Sequence, residues 1–334
     1  MACHIIDDSM KKRIKLKFID GFPENRYNLF RNRIEEEFDI DFSEQPDYVF
    51  CGCYSDDFRK YPNAIKILFQ GENMTPDFNL YDYVVGFDHL SFGDRFLRYP
   101  LSLCDYKSLN LALHKHEMPD EYYKRKKFCN FVYSNNWCQN EIRNRLFQEL
   151  SEKYKQVDSG GRIMNNVGGP VADKHAFLLN YKFTLSIENS SYTGYSTEKI
   201  TDAFAAGSIP IYWGDPLITK VFNPKAFIRV SDYPSIDALS DRIREIDEDD
   251  ELYMQMQRES IIPDDVDGQA LYSTPNIMGE FVADIFRRPI EEAHRTCKDG
   301  YVTEYRKVIY AGWNRFLWWR RPVRKVRELL RKKK

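Results

Sequence analysis

Two α/β domains, each built on a parallel sheet, are the fold class this chain predicts. Three observations carry it. The chain has 334 residues, more than one hydrophobic core usually serves. Short apolar runs rich in Ile, Val, Phe and Tyr alternate with stretches of helical period. A polar segment with Pro119, running from Leu113 to Lys127, interrupts that alternation and reads as a domain boundary.

The first half opens with an alternating strand from Ile14 to Ile19, followed by helical spacing of Tyr27, Phe30, Ile34 and Phe38 between Asn25 and Phe38. Further short strands follow at Tyr48 to Phe50, Ile65 to Phe69 and Tyr83 to Val85, each ending in turn-prone residues.

The second half restarts with an apolar strand from Phe128 to Tyr133. A helix from about Asn140 to Lys155, the loop Ser159-Gly160-Gly161-Arg162 and a helix from Lys174 to Tyr181 come next. Strand Phe183 to Ile187, helix Thr197 to Ala206, Gly207 as C-cap and strand Ile209 to Trp213 then read as a βαβ unit. Helices are expected at Asp237 to Ile246, Glu251 to Ser260 and Pro275 to Arg288. The domain boundaries that result are 1–120, 121–300 and a basic amphipathic helical tail at 301–334.

The formal charge of −2 conceals an asymmetry. Arg315 to Lys334 holds ten basic residues against Glu328, so the preceding chain carries a net charge near −11. A body of that sign is not a nucleic-acid binder. With its aromatic and branched apolar residues, the tail instead suits the surface of an anionic membrane.

No run approaches the length of a membrane span, and the first residues lack the pattern of a signal peptide. A cytoplasmic protein, peripheral on the inner face of the cell membrane, is expected. The seven cysteines are odd in number and lack metal-ligand spacing, so buried free thiols are expected. Asp39-x-Asp41 and Asp247-x-Asp249 imitate a metal motif, but a chain with 51 acidic residues produces such pairs by chance. No metal site is expected.

The chemistry concentrates between Phe183 and Asp215, where a buried strand delivers a polar loop into a helix N-terminus. Ser196 or Thr197 is placed to cap that helix, and the positive end of its dipole together with Lys199 suits an anion such as a diphosphate. Asn189, Tyr195 and Glu198 offer donors and acceptors for sugar hydroxyls. Glu72, a short loop beyond the strand Ile65 to Phe69, sits where the carboxyl edge of a parallel sheet binds ligands.

The order Glu188-Asn-Ser190, Tyr195-x-Thr-Glu-Lys199 and Gly207-x-Ile-Pro-Ile-x-x-Gly214 resembles the α1,3-fucosyltransferase family. Matches also run through Gly71-Glu-Asn73, Phe78 to Tyr83, Ile142-Arg-Asn144, Asp158 to Gly161 and Phe222 to Lys225. It looks most like the bacterial enzymes that make Lewis-type antigens. The resemblance implies the GT-B architecture, two Rossmann-like domains facing across a cleft, with the acceptor on the first and GDP-fucose on the second.

It also implies inverting transfer of L-fucose to an N-acetyllactosamine-like glycan in α1,3 or α1,4 linkage, with no cofactor beyond the donor substrate. Glu72 would be the general base, Arg143 and Lys199 would hold the diphosphate, and Asn189, Tyr195 and Glu198 would contact the ribose or fucose. A transferase for another nucleotide sugar and a non-catalytic glycan-binding module are the alternatives.

Overall fold

The computed structural model describes residues 11–22, 24–124, 127–134, 141–273 and 276–315. They form two compact units. Among the described residues, the first runs through Val85, takes in Phe92–Leu97 and resumes at Gly279; the second comprises Gly86–Ser91 and Arg98–Met278.

The sheet of the first unit uses β1 (Lys12–Ile19), β2 (Phe38–Phe42), β3 (Tyr48–Cys51), β4 (Ile65–Phe69), β5 (Tyr83–Gly86) and β6 (Phe96–Arg98), in the order β2-β1-β3-β4-β5-β6. Strands β1 to β5 pair in parallel. Every residue of β3, β4 and β5 is buried, as expected where both faces of a parallel sheet are covered.

The apolar spacing after Asn25 forms a 3₁₀ turn, Glu24–Leu29, and then α1 (Arg31–Glu37). The chain turns extended at Phe38 and becomes β2, an edge strand absent from the expectation. Phe38 fits the helical spacing that precedes it and so masks the alternation Phe38-Asp-Ile-Asp-Phe42, whose charged Asp39 and Asp41 an edge strand tolerates.

The second sheet has the order β11-β10-β9-β7-β8, all parallel, from β7 (Lys127–Phe131), β8 (Val157–Ser159), β9 (Tyr181–Ile187), β10 (Ile209–Trp213) and β11 (Ile228–Arg229). Around it lie α2 (Tyr106–Leu113), α3 (Asp120–Tyr123), α4 (Glu141–Lys153), α5 (Lys174–Leu178), α6 (Glu198–Ala205), α7 (Ile236–Glu248), α8 (Asp250–Arg258) and α9 (Val266–Ser273). Phe131, Phe183, Leu185, Ile187, Ile209 and Ile211 form its centre, each nearly or wholly buried. Each such side chain contributes about 1.5–3 kcal/mol by leaving water.

The units divide at other places than the expected 120/121 boundary. Residues 98–120 belong with the second unit, because Leu103 and Ala112 pack into one cluster with Ile200 and Phe204. The helix expected from Lys174 to Tyr181 ends at Leu178, and Tyr181 already opens β9.

The chain then returns to the first unit through α10 (Ile277–Arg287) and a helical stretch at 301–315. Ile309 and Tyr310 pack on the cluster of Val49, Phe58, Leu68 and Val84. Arg59 lies 4.3 Å from the Tyr310 ring centre, and the Tyr305 hydroxyl donates to Asp77 at 2.6 Å. The opening of the basic tail is therefore docked structure, while 316–334 lie outside the described residues. No helix among the described residues is long and apolar enough to cross a membrane.

Cys51, Cys104 and Cys129 are buried free thiols and Cys53 is half-buried, but Cys297 is exposed. Three of the four aspartates of the two Asp-x-Asp pairs are engaged by neighbours in the fold. Asp41 pairs with Arg13, Asp247 pairs with Lys155 and Lys182, and Asp249 accepts from the first amides of α8. The loop after β8 brings Gly161 against the end of β7, where a Cβ would stand 2.0 Å from the Tyr133 carbonyl oxygen. This is a structural turn.

Candidate functional site

Strand β9 ends at Ile187, and the next residue, Glu188, has no exposed surface. A carboxylate in such a place needs partners, and it finds them nine and eleven residues onward. Its oxygens accept from the Thr197 amide at 2.7 Å, from the Thr197 hydroxyl at 2.8 and 3.0 Å, and from the Lys199 ammonium at 3.0 Å. The loop 189–196 is thus closed at its base by one buried acid.

The remainder of that loop is pinned from the side. Gly194 holds φ at +85°, and a Cβ there would stand 2.3 Å from the Phe87 carbonyl oxygen, so only glycine fits. Its N–H donates to Asp215 Oδ1 at 2.8 Å, and that same oxygen accepts from Leu217 N–H at 2.8 Å. Burial pushes the Asp215 carboxyl above its ordinary value, against the pull of those two amides. The Ser196 hydroxyl meets that of Ser102 at 2.9 Å.

Neither Ser196 nor Thr197 caps α6 through its side chain. Ser196 is occupied by Ser102 and Thr197 by Glu188, so the expected cap is replaced by a hydrogen-bonded acid beneath the helix start. Lys199 is likewise not a free surface charge: its Nζ also donates to Thr197 Oγ1 at 2.7 Å. Burial works against its ammonium, but Glu188 and Glu198 outweigh that effect and hold the pKa well above the usual lysine value. Glu198 has half its side-chain surface exposed. Although desolvation opposes its ionisation, Lys199 and Lys174 keep its carboxyl below the ordinary value.

A cavity of about 240 Å³ opens at this point, lined among others by Tyr133, Ser134, Lys174, Asn189, Glu198 and Lys199. Three of the six site residues expected from sequence are brought together in it. Arg143 is beside it rather than in its lining. Its guanidinium lies 4.1 Å from the Tyr133 ring centre and donates to Asn189 Oδ1 at 2.9 Å. At 1% exposure its Nε is buried with no hydrogen-bond partner among the described residues, and a buried donor left unpaired costs about 1–3 kcal/mol.

Tyr195 departs from expectation. It is 2% exposed and packs edge-on against Phe87 at 5.2 Å, outside the cavity lining. Burying the ring's large apolar area explains the placement. Glu72 lies on the first unit, exposed just beyond β4, and its Oε1 accepts from the Tyr54 hydroxyl at 3.0 Å.

Two family models match this chain. Residues 16–105 match the Alpha-(1,3)-fucosyltransferase FucT N-terminal domain, and residues 122–258 match the Glycosyltransferase family 10 (fucosyltransferase) C-terminal region. The chain belongs to the family 10 fucosyltransferases.

Among curated members of this family, the chain is 35% identical over 243 residues to the alpha-(1,3)-fucosyltransferase FucT of Helicobacter pylori, covering 64% of this chain and 50% of that relative. It is 32% identical over 214 residues to a putative fucosyltransferase of Acanthamoeba polyphaga mimivirus, covering 60% and 34%. The chain thus spans half or less of the length of these relatives.

A crystal structure of an alpha1,3-fucosyltransferase superposes with a TM-score of 0.71 at 28% identity, covering 90% of this chain and 95% of that one. A crystal structure of an alpha1,3-fucosyltransferase with GDP-fucose gives 0.67 at 26% identity, covering 88% and 96%. The architecture of this family 10 member is GT-B.

Sequence reading missed Glu188, Asp215 and Tyr54 as partners of the site residues. Glu188 had a signal: a lone acid directly after five apolar or small residues of a buried strand, with a lysine eleven positions on. Asp215 and Tyr54 had none, because their partners come from elsewhere in the fold.

Proposed function

We propose that this chain is an inverting glycosyltransferase that moves L-fucose from GDP-fucose to a hydroxyl of an N-acetyllactosamine-like glycan, in α1,3 linkage. The observation that carries the reading is the cavity at the N-terminus of α6. There Lys199 is kept charged by a buried acid, and beside the cavity Arg143 Nε has no hydrogen-bond partner among the described residues. These are the groups that a departing diphosphate calls for.

In this reading Asn189 and Glu198 bind donor hydroxyls, and Tyr195 supports the loop from behind. Glu72 takes the proton of the attacking hydroxyl on the face opposite the leaving GDP, so that a β-linked donor gives an α-linked product. The Tyr54 hydroxyl orients that carboxylate. Lys199, Arg143 and the helix start supply the positive charge a metal provides in other transferases, and chelators are expected to leave the rate unchanged.

The basic run at 315–334 attaches the enzyme to the inner face of an anionic membrane, a proposal that rests on composition alone. Flotation with anionic liposomes, with and without that run, tests it; equal recovery of both in the soluble fraction ends it.

The deciding experiment offers GDP-fucose with and without type 1 and type 2 disaccharides and measures released GDP. Acceptor-dependent release is expected, with a product α-linked at the 3-hydroxyl. Glu72→Gln should abolish it while calorimetry still detects GDP-fucose binding. Acceptor-independent binding without turnover indicates a glycan-binding module, and turnover of another nucleotide sugar in preference indicates a different transferase.

A further inference from the structure

Directly after β1, Asp20 holds φ at +57°, a left-handed conformation that is unfavourable for a residue with a Cβ. Asp20 is also only 2% exposed, so its carboxylate needs partners within the fold. Oδ1 accepts from the Ser55 hydroxyl and the Asp57 amide, and Oδ2 accepts from the Phe58 amide at 3.2 Å. Asp57 and Phe58 open a 3₁₀ turn, Asp57–Lys60, whose own N-cap residue, Asp56, makes no side-chain cap. Asp20 supplies that cap from a position 37 residues before Asp57.

The backbone repeats the link. Tyr54 N–H donates to the Asp20 carbonyl at 3.2 Å, and Gly52 N–H donates to the Ile19 carbonyl at 3.1 Å. At Gly52 a Cβ would stand 2.5 Å from the Asp20 carbonyl oxygen, and at Gly21, with φ +72°, one would stand 3.0 Å from the Tyr54 ring. The two segments are as close as glycine permits.

This clamp holds Tyr54. The residue is 54% exposed, and an exposed side chain on a loop has several rotamers open to it. Its hydroxyl nevertheless donates to Glu72 Oε1 at 3.0 Å. The loop is fixed before that ring at Gly52 and the Tyr54 amide, and after it at Ser55, Asp57 and Phe58, which keeps the hydroxyl at that distance. A left-handed backbone and a buried carboxylate both cost stability, and costs of this kind gather where geometry matters to function.

We propose that Asp20 is a positioning residue for transfer: by fixing residues 52–58 it sets the Tyr54 hydroxyl on Glu72, and so orients the carboxylate that takes the acceptor's proton. This rests on the reading of Glu72 as the general base and adds a residue that acts on the reaction through Tyr54.

The test is a kinetic cycle of Asp20→Gly and Tyr54→Phe. Glycine keeps the left-handed backbone and removes only the carboxylate. Asp20→Gly should lower kcat about three- to tenfold in the wild-type background and by less than about twofold in the Tyr54→Phe background, with the KM for GDP-fucose unchanged in both. Should Asp20→Gly fail to fold, Asp20→Asn, which turns one acceptor oxygen into a donor facing an N–H, goes through the same cycle. Carbon NMR gives a readout without turnover: the Glu72 carboxyl resonance, assigned with Glu72→Gln, should move in Asp20→Gly in the direction it moves in Tyr54→Phe.

An equal loss of kcat in both backgrounds overturns the proposal, since Asp20 then acts independently of Tyr54. So does an unchanged kcat, a KM for GDP-fucose that rises along with the loss of kcat, or a Glu72 resonance that stays in place in Asp20→Gly. A Glu72→Gln variant that still turns over, or absence of transfer to any acceptor, overturns the reading of the reaction instead, and the Glu72 resonance still decides whether Asp20 sets Tyr54 on that carboxylate.

Discussion

The Glu188 carboxylate and the Lys199 ammonium stand 3.0 Å apart, the acid with none of its side chain exposed and the lysine with 14%. One buried pair therefore does two things. It ties the start of α6 to the end of β9, and it holds a positive charge at the mouth of the cavity.

Breaking that pair from one side leaves a buried charge alone. Lys199→Ala or Glu188→Ala is each expected to cost about 3–5 kcal/mol of stability. The double variant should cost less than the two summed, with a coupling of about 2–3 kcal/mol. Denaturant unfolding of the four proteins measures it, and strict additivity would remove the pair from the account. GDP affinity should fall with Lys199→Ala by about 1.5–3 kcal/mol, read by calorimetry at a temperature where the variant is folded.

Tyr54 touches Glu72 and is itself exposed. Tyr54→Phe should lower kcat by about three- to tenfold with little change in the KM for GDP-fucose, since it removes one hydrogen bond to an exposed charged group. An unchanged kcat means that the Tyr54 contact plays no part in turnover.

Asp20 is 2% exposed and accepts from the Ser55 hydroxyl and the amides of Asp57 and Phe58. Burial nevertheless raises its pKa from 3.8 to about 6. A folded value above the unfolded one means that this group's contribution is greatest below pH 3.8 and is lost as the pH rises through about 6. The full shift corresponds to at most about 3 kcal/mol. Urea unfolding between pH 4 and 7 should show a steeper decline in stability for the wild type than for Asp20→Asn; parallel profiles count against it.

The helical stretch at 301–315 is part of the first unit's core through Ile309 and Tyr310. A chain ending at Gly300 should lose about 2–4 kcal/mol, given two side chains returned to water. A chain ending at Arg315 keeps those contacts and separates their effect from that of the basic run. Thermal unfolding of the two truncations reads the difference.

The strands β3, β4, β5, β7, β9 and β10 were legible because buried parallel strands are largely apolar and stand out against polar turns, and β1 was legible by its alternation. The βαβ unit from Phe183 to Trp213 was legible for the same reason, and with it the position of Asn189, Glu198 and Lys199. Strand β2 was not, although Phe38-Asp-Ile-Asp-Phe42 alternates strictly, because Phe38 also continues the helical spacing of Tyr27, Phe30 and Ile34. The N-cap of α6 was misread for a related reason: Thr197 is the right residue type, but its hydroxyl is claimed by an acid that only the folded chain brings there.

By itself the sequence determined two parallel α/β units, the family and the segment that holds the chemistry, because hydrophobic period and local motif order are properties of neighbours along the chain. Only the tertiary structure decided which polar atoms satisfy one another. It paired Lys199 with Glu188, turned Tyr195 into the interior, left Arg143 Nε without a hydrogen-bond partner among the described residues and gathered Phe42, Arg31 and Glu35 into a groove. Burial makes each of those pairings energetically important, and burial is set by packing between residues far apart in the chain.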